Sequence, residues 1–207
     1  MSHVAILTGD FVASSTAPAA DVDRLMHWLA TALQDAARDL QLNPTRFTRF
    51  RGDGWQAIID PAPLYLRTVT HLLAGLRLHD IGLDTRIGIG IGAIDRPGTR
   101  DLADASGPAF TLSGHALDSL SGTDRLAIAG ASALPWHQAA LDTLTHFSAR
   151  WSREQAEAIS RRTIMQAVPL HAIASGLGIT RQALSARLAV AGEKPLLSLI
   201  RAAEAGA

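Results

Sequence analysis

Two aspartates stand where a carboxylate could do more than turn the chain. Asp10 ends the apolar run of "HVAILTGDF", and Asp53 sits between Gly52 and Gly54 in "FTRFRGDGWQAII", residues 47–59. One reading of both is conformational: Asp is a common turn former, and Gly-Asp-Gly suits a hairpin tip because the glycines accept positive φ. The other reading is chemical. A carboxylate held at a hairpin tip can also ligate a hard divalent cation such as Mg²⁺ or Mn²⁺. The backbone amides of Phe11, Val12, Ala13 and Ser14 follow Asp10 at an expected strand-to-helix turn, where N–H groups can cradle phosphate oxygens.

A second set of chemically useful side chains lies near the C-terminus, in "ITRQALSARLAVAG". Ile179, Leu184 and Leu188 form an apolar stripe, and Thr180, Arg181, Gln182, Ser185 and Arg187 are left off it. Thr180 is expected to be the N-cap of this helix. Arg and Gln can read guanine and adenine edges in a major groove, while Ser and Arg can also hold phosphate. The alternative is a small helical bundle that only packs on the rest of the chain or on another protein.

The elements that must position these residues follow from hydrophobic period and turn signals. "HVAILTGDF" reads as a buried strand and "ASSTAPAAD" as a turn-rich connection. A helix over residues 21–41 repeats Leu25, Trp28, Leu29, Ala32, Leu33, Ala36 and Leu40 on one face, and Asn43-Pro44 ends it. The hairpin around Asp53 comes next. After Asp60-Pro61 a second helix places Leu66, Val69, Leu72, Leu73 and Leu76 on one stripe. "TRIGIGIGAI" alternates isoleucine with Gly88, Gly90 and Gly92, so one face of that strand is bare enough for a helix or a ligand to approach the backbone. A helix over 107–121 and a strand in "RLAIAG" complete the set. The order β-α-β-β-α-β, with a helix and strand added, is the split βαβ arrangement.

The tail reads as three helices. Ser152 and Gln155 have the spacing of a capping box, Pro169 opens a short helix containing "LHAIASGLG", and Gly178 makes the tight turn before Thr180. Small Ala174 falls where two helices of a helix-turn-helix cross.

Composition bounds the possibilities. With 207 residues, 47% hydrophobic and 18% charged, the chain can bury a real core and is not of disordered type. No cysteine is present, which excludes a disulfide scaffold and thiolate-ligated metal. No apolar run is long enough to span a bilayer and "MSHVAILTGD" lacks a leader pattern, so a cytoplasmic protein with no membrane contact is expected. Residues 1–149 carry 11 Arg against 15 Asp, a net −4; residues 150–207 carry 7 Arg and 1 Lys against 4 Glu, a net +4. That asymmetry suggests two units with different partners, the basic one compatible with nucleic acid. The eight His show no metal-ligand spacing; His71, His79, His137 and His146 are expected at the surface or in packing. Trp28 and Trp151 are expected in cores, and Trp55, just past the hairpin turn, at the surface.

Four segments occur in a fixed order: "LTGDFVASS", "RGDGWQAII", "RIGIGIGAI" and "DASGPAFTLSGHALDSL". Together they resemble the class III nucleotidyl cyclase domain, and more closely its SatD-like branch, over about residues 4–130. The resemblance implies a metal held by Asp10 and Asp53, a phosphate turn over Phe11 to Ser14, and purine contacts at Arg49 and Asp104. The positions that correspond to the family's ribose-contacting Asn and transition-state Arg are Thr111 and His115. Thr offers no amide, and His is a shorter cation whose charge depends on pH. The resemblance therefore implies nucleotide binding without efficient cyclisation, and domains that pair head to tail. Residues 152–192 are similar to the helix-turn-helix of response regulators and sigma factors.

The expected fold class is α+β: a ferredoxin-like (βαββαβ) cyclase-like sandwich over residues 1–148, followed by a small all-α helix-turn-helix domain over 149–207. The expected function is a DNA-binding regulator, a homodimer whose first domain binds a purine nucleotide or serves for pairing. A metal-dependent enzyme acting on nucleoside triphosphates is the alternative.

Overall fold

Strand β1 (Val4–Val12) is the centre of the molecule, and its run of Val, Ala, Ile and Leu is buried on both faces. It lies between β3 (Gly54–Ile59) and β4 (Asp84–Gly92), antiparallel to both. β2 (Phe47–Phe50) pairs antiparallel with β3, and β5 (Leu126–Ala129) adds in parallel beside β4, giving the order β2-β3-β1-β4-β5. The computed structural model describes residues 3–43, 45–79 and 81–206. These form a mixed α+β fold with this five-stranded sheet and eight α-helices. Pro44, expected to help end the first helix, lies outside the described residues.

Helices α1 (Ala19–Asp39) and α2 (Tyr65–Leu76) cover one face of the sheet, packing on Leu7, Trp55, Ile59, Ile87 and Ile89. Helix α3 (Pro108–Asp118) covers part of the other, where Val4, Ile6, Ile58 and Ala109 form a smaller cluster. The bare face of β4 serves this helix. A Cβ at Gly88 would lie 2.3 Å from the Leu117 nitrogen, and one at Gly90 would lie 2.2 Å from the Ala109 oxygen. The glycines thus seat α3 directly on the sheet, with the Thr8 and Ser113 hydroxyls 2.7 Å apart beneath it.

Trp55 departs from its expected surface position: it is fully buried on the α1–α2 face. The cause is its partner across the ladder. Gly9 stands opposite Trp55, and a Cβ on Gly9 would come within 2.5 Å of the indole, so the missing side chain makes the space that the ring fills. Phe47 stacks on the same indole from β2.

The remaining helices are α4 (Pro135–Ser148), α5 (Arg153–Ile164), α6 (Leu170–Gly176), α7 (Arg181–Val190) and α8 (Glu193–Ala205). The apolar core continues without a break from the sheet through α2 into α5, α7 and α8, by way of Ile159, Leu184, Leu196 and Ile200. Helix α2 is consequently buried along its whole length. Thr68 and Thr70 donate to Leu64 O and Leu66 O, and Arg67 forms a forked ion pair with Glu204 of α8 at 2.6 and 3.0 Å, while the buried Tyr65 hydroxyl has no partner among the described residues. Arg67 also donates to Thr163 O of α5 at 2.9 Å. No helix among the described residues is long and apolar enough to cross a membrane.

Candidate functional site

The part of the sheet that α3 leaves uncovered forms one wall of a cleft of about 500 Å³. Thr8, Asp10 and Gln56 reach it from the sheet, Phe50, Arg51 and Asp53 from the β2–β3 hairpin, and Leu117 and Asp118 from α3. A second hollow of about 450 Å³, between the hairpin and the start of α1, is lined by Ser14, Val22, Arg49 and Asp53 among others. Asp53 borders both. Asp10 and Asp53 thus line one cleft, and Ser14 and Arg49 line the hollow beside it.

Asp53 sits at the hairpin tip because Arg51 and Gly52 adopt left-handed conformations, φ +48° and +79°. Its Oδ2 accepts a short hydrogen bond from Ser14 Oγ, which ties the hairpin to the turn after β1. Asp10 is committed to another partner. Arg86 lies directly across from it on β4 and donates Nε to Oδ1 at 2.9 Å and Nη2 to Oδ2 at 2.5 Å.

Several expected positions differ. Phe11 and Val12 lie inside β1, paired with Thr85 and Asp84, and the Phe11 ring is buried, so only Ala13 and Ser14 belong to the turn. Ala13 turns the chain with φ +59°. Arg49 reaches across to α1, with Nη1 2.6 Å from Asp23 Oδ1. Asp104 lies in the loop before α3, lines neither hollow, and accepts a 3.0 Å hydrogen bond from the Thr99 amide, which holds its carboxyl below the usual range. Thr111 and His115 are exposed on α3 and do not line the cleft, whose wall there is Gly114, Leu117 and Asp118. His115 falls on a stripe beside Asp118, whereas Thr111, seven residues before Asp118, lies on the same stripe about two turns nearer the start of α3.

The implied Mg²⁺ or Mn²⁺ does not fit these donors. Both Asp10 oxygens are taken by Arg86, one Asp53 oxygen holds Ser14, and Mg²⁺ demands a near-octahedral oxygen shell. Among the described residues no three His, Cys, Asp or Glu side chains converge where a metal could sit.

The second set is built by the tail. Ser152 caps α5 through Gln155 N at 3.3 Å, with Gln155 Oε1 accepting from Ser152 N in return. Gly178 turns the chain at φ +65°, and Thr180 caps α7 by accepting from Ala183 N at 3.1 Å. Leu184 and Leu188 are buried and Ala174 lies against them in α6. Thr180, Arg181, Gln182 and Ser185 are exposed and together line a shallow surface hollow at the start of α7. Arg187 is not part of that face. It lies about 120° around the helix from Arg181 and turns back towards Glu157 of α5, at 3.9 Å.

Sequence reasoning did not single out Arg86, Asp118, Arg51 or Gln56. Arg86 shares the bare face of "TRIGIGIG", but only the strand register shows that it opposes Asp10. A third hollow, of about 520 Å³ beside β5 and α4, holds none of the expected residues. There Gln138 mimics a strand, donating to Leu126 O and accepting from Ile128 N. No protein-family model matches this chain, and no curated protein matches it in sequence.

Proposed function

We propose that the chain is a DNA-binding regulator. Residues 149–207 act as the helix-turn-helix module. Residues 1–148 act as a degenerate SatD-like, class III nucleotidyl cyclase-like domain that binds a purine nucleotide or pairs two copies. One observation carries the reading: Thr180, Arg181, Gln182 and Ser185 share a single open face on the first turns of α7, with α6 set across it by the Gly178 turn. In such an arrangement that face enters the major groove, where Arg and Gln have bidentate partners on guanine and adenine. The net charge of the tail supports the same reading.

For the first domain, the all-antiparallel order β2-β3-β1-β4 with α1 and α2 on one face supports a ferredoxin-like sandwich, to which α3 and β5 are added. In a head-to-tail pair the exposed Thr111 and His115 would face a nucleotide held by the second copy. A cytoplasmic location belongs to the same reading. The alternative, a metal-dependent enzyme acting on nucleoside triphosphates, draws on the shared cleft of Asp10 and Asp53; the pairing of Asp10 with Arg86 weighs against it.

The test is a gel shift on the DNA that precedes the protein's own coding sequence, with Arg181→Ala and Gln182→Ala as comparisons. A lost base contact is worth about 1–3 kcal/mol, so each variant should bind roughly five- to a hundredfold more weakly. Wild-type binding that neither substitution changes would refute the assignment of this face.

A further inference from the structure

The carboxylates of the cleft already have a cation. We propose that Arg86 is the resident counter-ion of this cleft, tethered where a divalent metal would be recruited, so that the cleft takes up neither Mg²⁺ nor Mn²⁺.

Geometry carries the inference. The guanidinium grips Asp10 with two parallel bonds of 2.9 and 2.5 Å, the fork-on-carboxylate arrangement that uses both acceptor atoms at once. The pair is not a chance meeting of long surface side chains. Asp10 and Arg86 are directly opposed in the β1–β4 ladder, so the register of the two central strands fixes them together. Neither side chain is fully exposed, at 23% for Asp10 and 37% for Arg86. The charges of Asp53 and Asp118 act on the same guanidinium, and with the Asp10 hydrogen bond, the largest influence, they raise its basicity. Asp53 is separately engaged by Ser14. A metal approaching Asp10 must share the carboxylate with, or displace, a permanently charged arginine, against charge repulsion.

The inference concerns the cleft alone and does not depend on DNA binding. Its test is titration of the full chain with Mn²⁺ alone, followed by the loss of the free-ion electron paramagnetic resonance signal. The wild type should leave the signal unchanged. Arg86→Gln, which removes the charge but keeps a hydrogen-bond donor for Asp10, should gain a Mn²⁺ site at least about tenfold tighter than any in the wild type. Adding Asp10→Asn to Arg86→Gln should abolish that gain. Circular dichroism checks that Arg86→Gln is folded, and Arg86→Met provides the same contrast if it is not. A wild-type Mn²⁺ site removed by Asp10→Asn would overturn the proposal, as would charge-free variants that gain no site.

Discussion

Replacing Gly90 by alanine drives a methyl group into the backbone of α3. Its Cβ would lie 2.2 Å from Ala109 O and 2.4 Å from Ser113 N. Non-bonded heavy atoms settle about 3.5 Å apart or more, so the helix must retreat by roughly 1 Å. It cannot pivot about Gly88, because a Cβ there would already meet Leu117 N and Ser113 O at 2.3 Å and the two surfaces touch throughout. Overpacking of this kind costs about 1–3 kcal/mol, and backbone contacts that no rotamer can relieve place it at the upper end. The retreat also stretches the buried Thr8–Ser113 hydrogen bond, worth about 1 kcal/mol. Reduced freedom of the unfolded chain returns about 0.4–1 kcal/mol. The net is about 3 kcal/mol, and at about 2–4 °C per kcal/mol for a chain of this size Tm should fall by roughly 6–12 °C. Thermal unfolding followed by far-ultraviolet circular dichroism measures it. Gly114→Ala is the control: a Cβ there meets nothing within 4 Å, and in a helix the exchange should stabilise by about 0.5–1 kcal/mol. A Gly90→Ala variant melting with the wild type would refute the seating of α3 on the glycine face.

Two further outcomes follow from the contacts between the sheet-covering helices and the tail. Glu204→Ala leaves Arg67, with only 3% of its side chain exposed, without its carboxylate. Breaking a buried pair costs about 3–5 kcal/mol; as Glu204 is partly open to water, about 3 kcal/mol and a correspondingly lower Tm are expected, with Glu204→Gln less affected. An unchanged Tm in Glu204→Ala would contradict the tethering of α8 to α2. His71 is held neutral by burial, with Nδ1 3.0 Å from Ser160 Oγ and 3.3 Å from Ser160 O. Its folded pKa lies below the ordinary value near 6.5, so under that pH the unfolded chain binds the extra proton and stability falls. Denaturant unfolding between pH 7 and 5 should show a loss of up to about 1.4 kcal/mol per unit from this group. His71→Gln should flatten that part of the profile, and an unflattened profile would assign the loss elsewhere.

The elements that carry strong periodicity were legible in the sequence. The Leu25–Leu33 face of α1, the capping pair Ser152–Gln155, the Gly178 turn and the Thr180 cap are local, and short-range rules find them. The resemblance, not local pattern, brought Asp10 and Asp53 together; Asp10 lies inside β1 and Asp53 at the hairpin tip. What local pattern could not supply was pairing. Arg86 matters only through its register with Asp10, and Trp55 is buried only because Gly9 stands opposite it. The bare face of β4 could equally have faced a ligand, and the approach of α3 decided it. Helix α4 was missed because Pro135, which opens it, reads as a turn signal, and α8 because its Leu196–Ile200 stripe lies beyond the helix-turn-helix pattern. Arg187 was grouped with Thr180, Arg181, Gln182 and Ser185 because off the core stripe includes both flanks of a helix, and only Glu157 shows which flank it takes.

The central claim is that the open face of α7 reads DNA, and selection from a random-sequence duplex library by the purified full chain tests it most directly. One motif should be enriched, repeated as two half-sites about 10–10.5 base pairs apart or a multiple of that if the protein pairs. Gln182→Ala or Arg181→Ala should relax the preference at single base positions. A wild-type chain that enriches no sequence, or a motif that both substitutions leave intact, would contradict it.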